Sequence, residues 1–125
     1  MEVSGEALAE LATAEVVKAI GRGFSPEKAL KLLDENYQLV VLTLSLTPNS
    51  MKRIAGRVIG KNGRARERLE EFTLSSISVF GKTISIIAKH EDARIAEDAV
   101  EMLIHGRSHK YVYAMIEKRA RKKLA

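Results

Sequence analysis

Two glycines three residues apart, Gly60 and Gly63, constrain this chain more than any other feature. They lie in the run Ile54-Ala55-Gly56-Arg57-Val58-Ile59-Gly60-Lys61-Asn62-Gly63-Arg64-Ala65-Arg66. A G-x-x-G with apolar pairs and Arg or Lys on its flanks predicts a short helix, a tight glycine turn and a second helix. Such a turn can bring backbone N–H groups and a helix N-terminus against a phosphate, because no Cβ stands in the way. Between Lys52 and Arg68 stand seven basic residues and a single acid, Glu67. A polyanion is the natural partner for that concentration of charge. The bland alternative is a helix corner whose arginines are merely solvated.

Other phosphate-binding loops fail on spacing. A Walker loop needs four residues between its first glycine and the Gly-Lys, then Ser or Thr for magnesium. Here three residues separate Gly56 from Gly60, and Asn62 follows Lys61. The dinucleotide fingerprint needs a glycine two residues before Gly60, where Val58 stands.

The charge is unevenly placed. Residues 1–50 hold four bases and seven acids, residues 51–90 nine bases and three acids, and residues 91–125 eight bases and six acids. The positive field centres on the glycine loop, with a second focus at Lys118-Arg119-Ala120-Arg121-Lys122-Lys123. That asymmetry favours nucleic acid over a small substrate. Aromatics are only 5% of residues and Trp is absent, so an aromatic stacking platform is not the obvious mode of binding. The lack of Cys excludes disulfides, thiolate zinc sites and thiol catalysis together. No stretch approaches 18 apolar residues, and Glu2, Glu6 and Glu10 do not make a signal peptide. The expected setting is cytoplasmic, with no membrane partner.

The 125 residues suit one domain. Apolar periodicity predicts a helix over Ser4–Ile20, stopped by Gly21-Arg22-Gly23, and Ser25-Pro26 starts another that ends near Asp34–Asn36. Leu39–Leu46 reads as a strand broken by Thr47-Pro48-Asn49-Ser50. A short helix Met51–Ile59, the glycine turn and a helix Arg64–Phe72 follow, the last with a stripe of Ala65, Leu69 and Phe72. Ser76–Phe80 and Thr83–Ala88 form a hairpin about Gly81-Lys82. Glu91–Gly106 is helical, and Ser108 caps a last helix. Because the strands and their covering helices all lie after Tyr37, residues 38–125 are expected to fold without residues 1–37.

The order strand, helix, G-x-x-G, helix, hairpin, helix over residues 38–106 resembles a type I KH domain. The flanks narrow the resemblance: Val17-Lys18-Ala19-Ile20-Gly21-Arg22-Gly23-Phe24 with Pro26–Leu30, and Leu103-Ile104-His105-Gly106 with Val112-Tyr113, are similar to the C-terminal half of archaeal KH-domain ribosome-assembly factors. These are related to the eukaryotic partner-of-Nob protein. The resemblance implies an α+β fold, a three-stranded antiparallel sheet packed against helices, with extra N- and C-terminal helices. It also implies binding of single-stranded RNA near the 3′ end of small-subunit rRNA during maturation, next to the endonuclease that cuts there. Family members usually carry two KH units. Residues 1–37 are therefore read as a helical segment, a possible remnant of a preceding unit, and residues 38–125 as the KH domain with its C-terminal helix.

In a KH domain the loop clamps the backbone of about four nucleotides. Carried onto this chain, Gly60 and Gly63 allow close approach while Lys61 and Asn62 point outward. Val58, Ile59, Ile77 and Val79 form the apolar floor under the bases, or serve as core. Arg57, Arg64 and Arg66 reach phosphates or base edges. His90, His105 and His109 lack a ligand pattern, and no Ser/His/Asp constellation is recognisable, so the chain is read as a non-enzyme without metal or cofactor. The competing function is a protein adaptor that grips a maturation endonuclease or a translation initiation factor through an exposed Leu8/Leu11/Val16/Ile20 face.

Overall fold

The structure, a computed structural model, describes residues 5–124. Helix α1 (Gly5–Gly21) leads to α2 (Pro26–Ala29), which tightens at once into a 3-10 turn over Leu30–Leu33. Ser25 caps α2, its hydroxyl accepting from the Lys28 N–H, and Pro26 occupies the first turn, where its missing N–H costs nothing. Strand β1 (Tyr37–Thr43), α3 (Pro48–Ile59), the glycine turn, α4 (Arg64–Thr73), β2 (Ser75–Phe80), β3 (Thr83–Lys89), α5 (His90–Ile104) and α6 (His109–Leu124) complete the fold.

Two boundaries differ from the sequence reading by three residues, and others by one or two; β1 opens at Tyr37 rather than Leu39, so the strands do not all lie after Tyr37. Strand β1 ends at Thr43 rather than Leu46, although Leu44 and Leu46 still pack on the core. Helix α3 starts at Pro48 rather than Met51, so Thr47-Pro48-Asn49-Ser50 is its first turn. Thr47 accepts from the Ser50 N–H, and proline at the first helical position supplies the fixed φ a helix start wants.

The sheet is antiparallel in the order β1-β3-β2. The β2–β3 register, with Phe80 opposite Thr83, leaves a two-residue turn in which Gly81 takes φ +57°. Side chains alternate between two faces, and helices cover both. On one face Ile77, Ile84, Ile86 and Ala88 meet Ile54 and Val58 of α3, Leu69 of α4, Val100 and Leu103 of α5, and Val112 and Ile116 of α6. On the other, Ile87, Leu39 and Tyr37 meet Val16 and Ala19 of α1 and Phe24, Ala29 and Leu32 beyond it. The Ser78 hydroxyl also donates to the Arg22 carbonyl, 2.8 Å away. The N-terminal helices thus roof the second face of the sheet.

Candidate nucleic-acid interface

The loop is built from backbone conformations that side chains resist. Gly60 ends α3 at φ 74°, ψ 176°, Asn62 sits at φ 56°, and Gly63 at φ 74°, ψ 8°. The Gly60 N–H closes the helix on the Gly56 carbonyl at 2.8 Å, and the Gly63 N–H returns to the Gly60 carbonyl at 3.2 Å. The two glycines differ in role. A Cβ on Gly60 would stand 2.5 Å from the Ala65 Cβ and 2.9 Å from the Ala65 nitrogen. On Gly63 its nearest neighbour would be the Arg66 guanidinium, 4.0 Å off. Gly60 therefore serves the packing of α3 against α4, while Gly63 borders open space. Lys61 and Asn62 are both exposed on the turn between them.

The remaining sequence-derived residues scatter. Val58 is wholly buried and Ile77 is 3% exposed, so both belong to the core and neither offers a surface to a base. Ile59 and Val79 are half-buried. Arg57 turns away from the loop: its Nε donates to the Leu103 carbonyl at 3.2 Å and its Nη2 to the Arg107 carbonyl, tying α3 to the C-terminal end of α5. The Leu103 carbonyl, in the last turn of α5, also accepts from the Gly106 N–H, and a cation there meets the negative end of the helix dipole. Arg64 lies toward α6, lining a cavity with Lys61. Arg66, one helical turn from Glu70, shares the face of α4 that addresses β2. Glu70 links these elements, its carboxylate accepting from the Ile77 N–H of β2 at 2.9 Å. Thr73 links them too, its hydroxyl meeting that of Ser75 at 2.6 Å.

Other expectations fare differently. Phe72 is 40% exposed and rests on Tyr113 of α6 instead of joining the core stripe with Ala65 and Leu69. His90 joins the Glu35 carbonyl and the Gln38 side chain, and His109 donates to the Arg57 carbonyl at 2.7 Å. Among the described residues no group of three His, Asp or Glu is placed to hold a metal, and no helix is long and apolar enough to cross a membrane. His109, read from the sequence as structural or RNA-facing, lies beside the loop together with Arg68 and Tyr113, which the sequence reading did not place there. Their i, i+4 spacings, Arg64/Arg68 and His109/Tyr113, were the available signal.

A family model of the second KH domain of PNO1 proteins, described as a eukaryotic type KH-domain (KH-domain type I), matches residues 39–121. The chain belongs to the type I KH family. A KH domain-containing protein of Methanocaldococcus jannaschii is 44% identical over 111 residues, covering 86% of this chain and 49% of the relative. The pre-rRNA-processing protein pno1 of Aspergillus fumigatus is 26% identical over 110 residues, covering 83% of this chain and 44% of that one. The chain spans about half the length of the curated relatives it matches. Among solved structures, a chain from the a/eIF2alpha-aDim2p-rRNA complex of Pyrococcus horikoshii superposes with TM-score 0.88 at 38% identity, covering 98% of this chain and 68% of its own. A protein of unknown function from Aeropyrum pernix gives TM-score 0.83 at 44% identity, with 91% and 65% covered. The KH core here is β1, α3, the loop, α4, β2, β3 and α5, to which α1, α2 and α6 are added.

Proposed function

We propose that this protein binds single-stranded RNA, at or near the 3′ end of small-subunit rRNA, as a ribosome-assembly factor. The observation that carries the RNA reading is the exposed Lys61-Asn62 turn between two positive-φ glycines, joining α3 to α4 in a KH fold. Relatives named for pre-rRNA processing, and a relative solved in a complex with rRNA, support the choice of RNA. Lys61, Arg64 and Arg66 are the cations for the phosphates, Gly60 and Gly63 shape the turn, and Ile59 and Val79 are the apolar surface left for bases. Val58 and Ile77 lie in the core, and Arg57 is engaged at the end of α5.

The test is the double variant K61D/N62D. Asp tolerates the left-handed conformation of position 62, and exposed substitutions usually move stability by no more than about 0.5 kcal/mol, so the thermal midpoint should hardly change. Each new carboxylate repels a phosphate about 4 Å away by roughly 1 kcal/mol in water-like surroundings and about 4 kcal/mol at a surface dielectric. The loss of the Lys61 attraction adds to that, so affinity for single-stranded RNA should fall at least about tenfold. Wild type should also lose affinity with salt at a slope of about −2 in log K, for three phosphate contacts. Unchanged RNA binding by the folded variant would reduce the loop to a helix corner.

A second reading, adaptor to a nuclease or initiation factor, is favoured by the exposed apolar residues of α1. Leu8, Leu11, Val17 and Ile20 are 44–64% exposed, spread around more than one side of the helix, whereas Val16, expected with them, is buried. The Pyrococcus relative was crystallised with a/eIF2alpha. If α1 seats a protein, K61D/N62D should lose RNA and keep that partner; loss of both together would sink the adaptor reading.

A further inference from the structure

On the side of α4 away from β2, a cavity of about 400 Å³ opens between α4 and α6, lined by Gly60, Lys61, Arg64, Arg68, His109 and Tyr113. Its walls are braced. His109 donates Nε2–H to the Arg57 carbonyl, since a carbonyl can only accept, and this pins the start of α6 to the end of α3. The Tyr113 ring stands 6.2 Å from the His109 ring and 5.9 Å from Phe72, both tilted. The Arg68 guanidinium lies over the Tyr113 ring at 5.6 Å. Three cations border the cavity with no carboxylate among its lining residues, and none of the three is in an ion pair among the described residues. Like charges gathered without a counter-charge repel one another until an anion enters.

The volume falls in the range of ligand pockets, about 300–1,000 Å³, roomier than a bare phosphate requires. The walls supply both halves of a nucleotide site: cations for the phosphate, and a planar guanidinium on an aromatic ring against which a base can stack. Lys61 belongs at once to the cavity and to the turn, so a strand leaving the loop can enter without crossing a gap. We propose that this cavity takes the nucleotide next to those held by the loop, its phosphate on Arg68, beside the Lys61 and Arg64 that serve the loop's own phosphates, and its base on the Arg68–Tyr113 pair. The inference rests on the RNA-binding reading and adds a subsite on the α6 side of α4.

The experiment compares a single-stranded tetranucleotide with the same sequence extended at either end to six residues, on the full chain and on R68A. Arg68 is exposed, and circular dichroism with a thermal melt checks that R68A keeps the fold. In wild type, extension at one end should raise affinity about fivefold or more, the scale of one added stacked base, and steepen the salt slope by about 0.7. R68A should bind the tetranucleotide as wild type does and lose the gain from extension. An equal gain in R68A, or no gain in wild type, overturns the subsite while leaving the loop reading intact. Failure of wild type to bind either oligonucleotide removes both. Saturable binding of AMP that R68A abolishes, without any extension effect, would assign the cavity to a free nucleotide and overturn its place on the RNA path. An acidic peptide displacing nothing from the extended RNA, yet binding through Arg68, would do the same.

Discussion

The conformation of Gly60, φ 74° with ψ 176°, lies in a region essentially closed to residues with a Cβ, and Ala65 fills the space such a Cβ would need. Gly60→Ala combines backbone strain with overpacking, for a loss of about 2–4 kcal/mol. The thermal midpoint should fall by roughly 10 °C. Gly63→Ala meets open space and carries only the left-handed penalty of about 1–2 kcal/mol. Thermal melts of the two variants check this, and equal losses would mean that contact with Ala65 is not what Gly60 provides. The motif itself was legible because glycine announces such backbone plainly. Arg57 was not. Its partners, Leu103 and Arg107, lie 46 and 50 residues further on, and no local spacing reveals which arginine will cap a distant helix.

Elements were legible where chemistry punctuates them: Ser25-Pro26 before α2, Gly81 in the hairpin, the acids Glu91 and Asp92 at the start of α5. Thr47-Pro48 carries the same start signal as Ser25-Pro26, and reading it as a break cost α3 its first turn. Helix α1 posed a harder problem, because its apolar residues exceed what one face can bury. Val16 and Ala19 reach the sheet side while Leu11 and Val17 remain in solvent, and periodicity alone does not choose between them. The choice is made by Phe24, 5% exposed, which packs with Val16 and Ala19 in the cluster that includes Ile87. Phe24→Ala should therefore cost about 3–5 kcal/mol, a large part of a typical stability of about 5–15 kcal/mol. Urea denaturation would read it as a lower midpoint at unchanged slope. A loss below about 1 kcal/mol would mean the N-terminal helices are an appendage and that residues 38–125 fold without them, as the sequence alone suggested.

At the scale of the molecule, the α+β class and the KH order followed from the succession of elements, whereas the roofing of both sheet faces did not, since it depends on where α1 and α2 land after the chain has turned. Everything meets at β3. It pairs with β2 across a two-residue turn and with β1 across the segment from Thr43 to Thr83, and its alternate side chains belong to different cores. That central position has a consequence in time. The hairpin closes locally, but β1 must wait until roughly 40 intervening residues are drawn together, an entropic debt settled only when the sheet is nearly complete. Gly81→Ala, where a Cβ meets nothing and only the positive φ is disturbed, should chiefly slow folding. Val40→Ala in β1 should chiefly hasten unfolding. Stopped-flow chevrons would separate the two arms, and the opposite assignment would place the pairing of β1 with β3 at the beginning of folding rather than at its end.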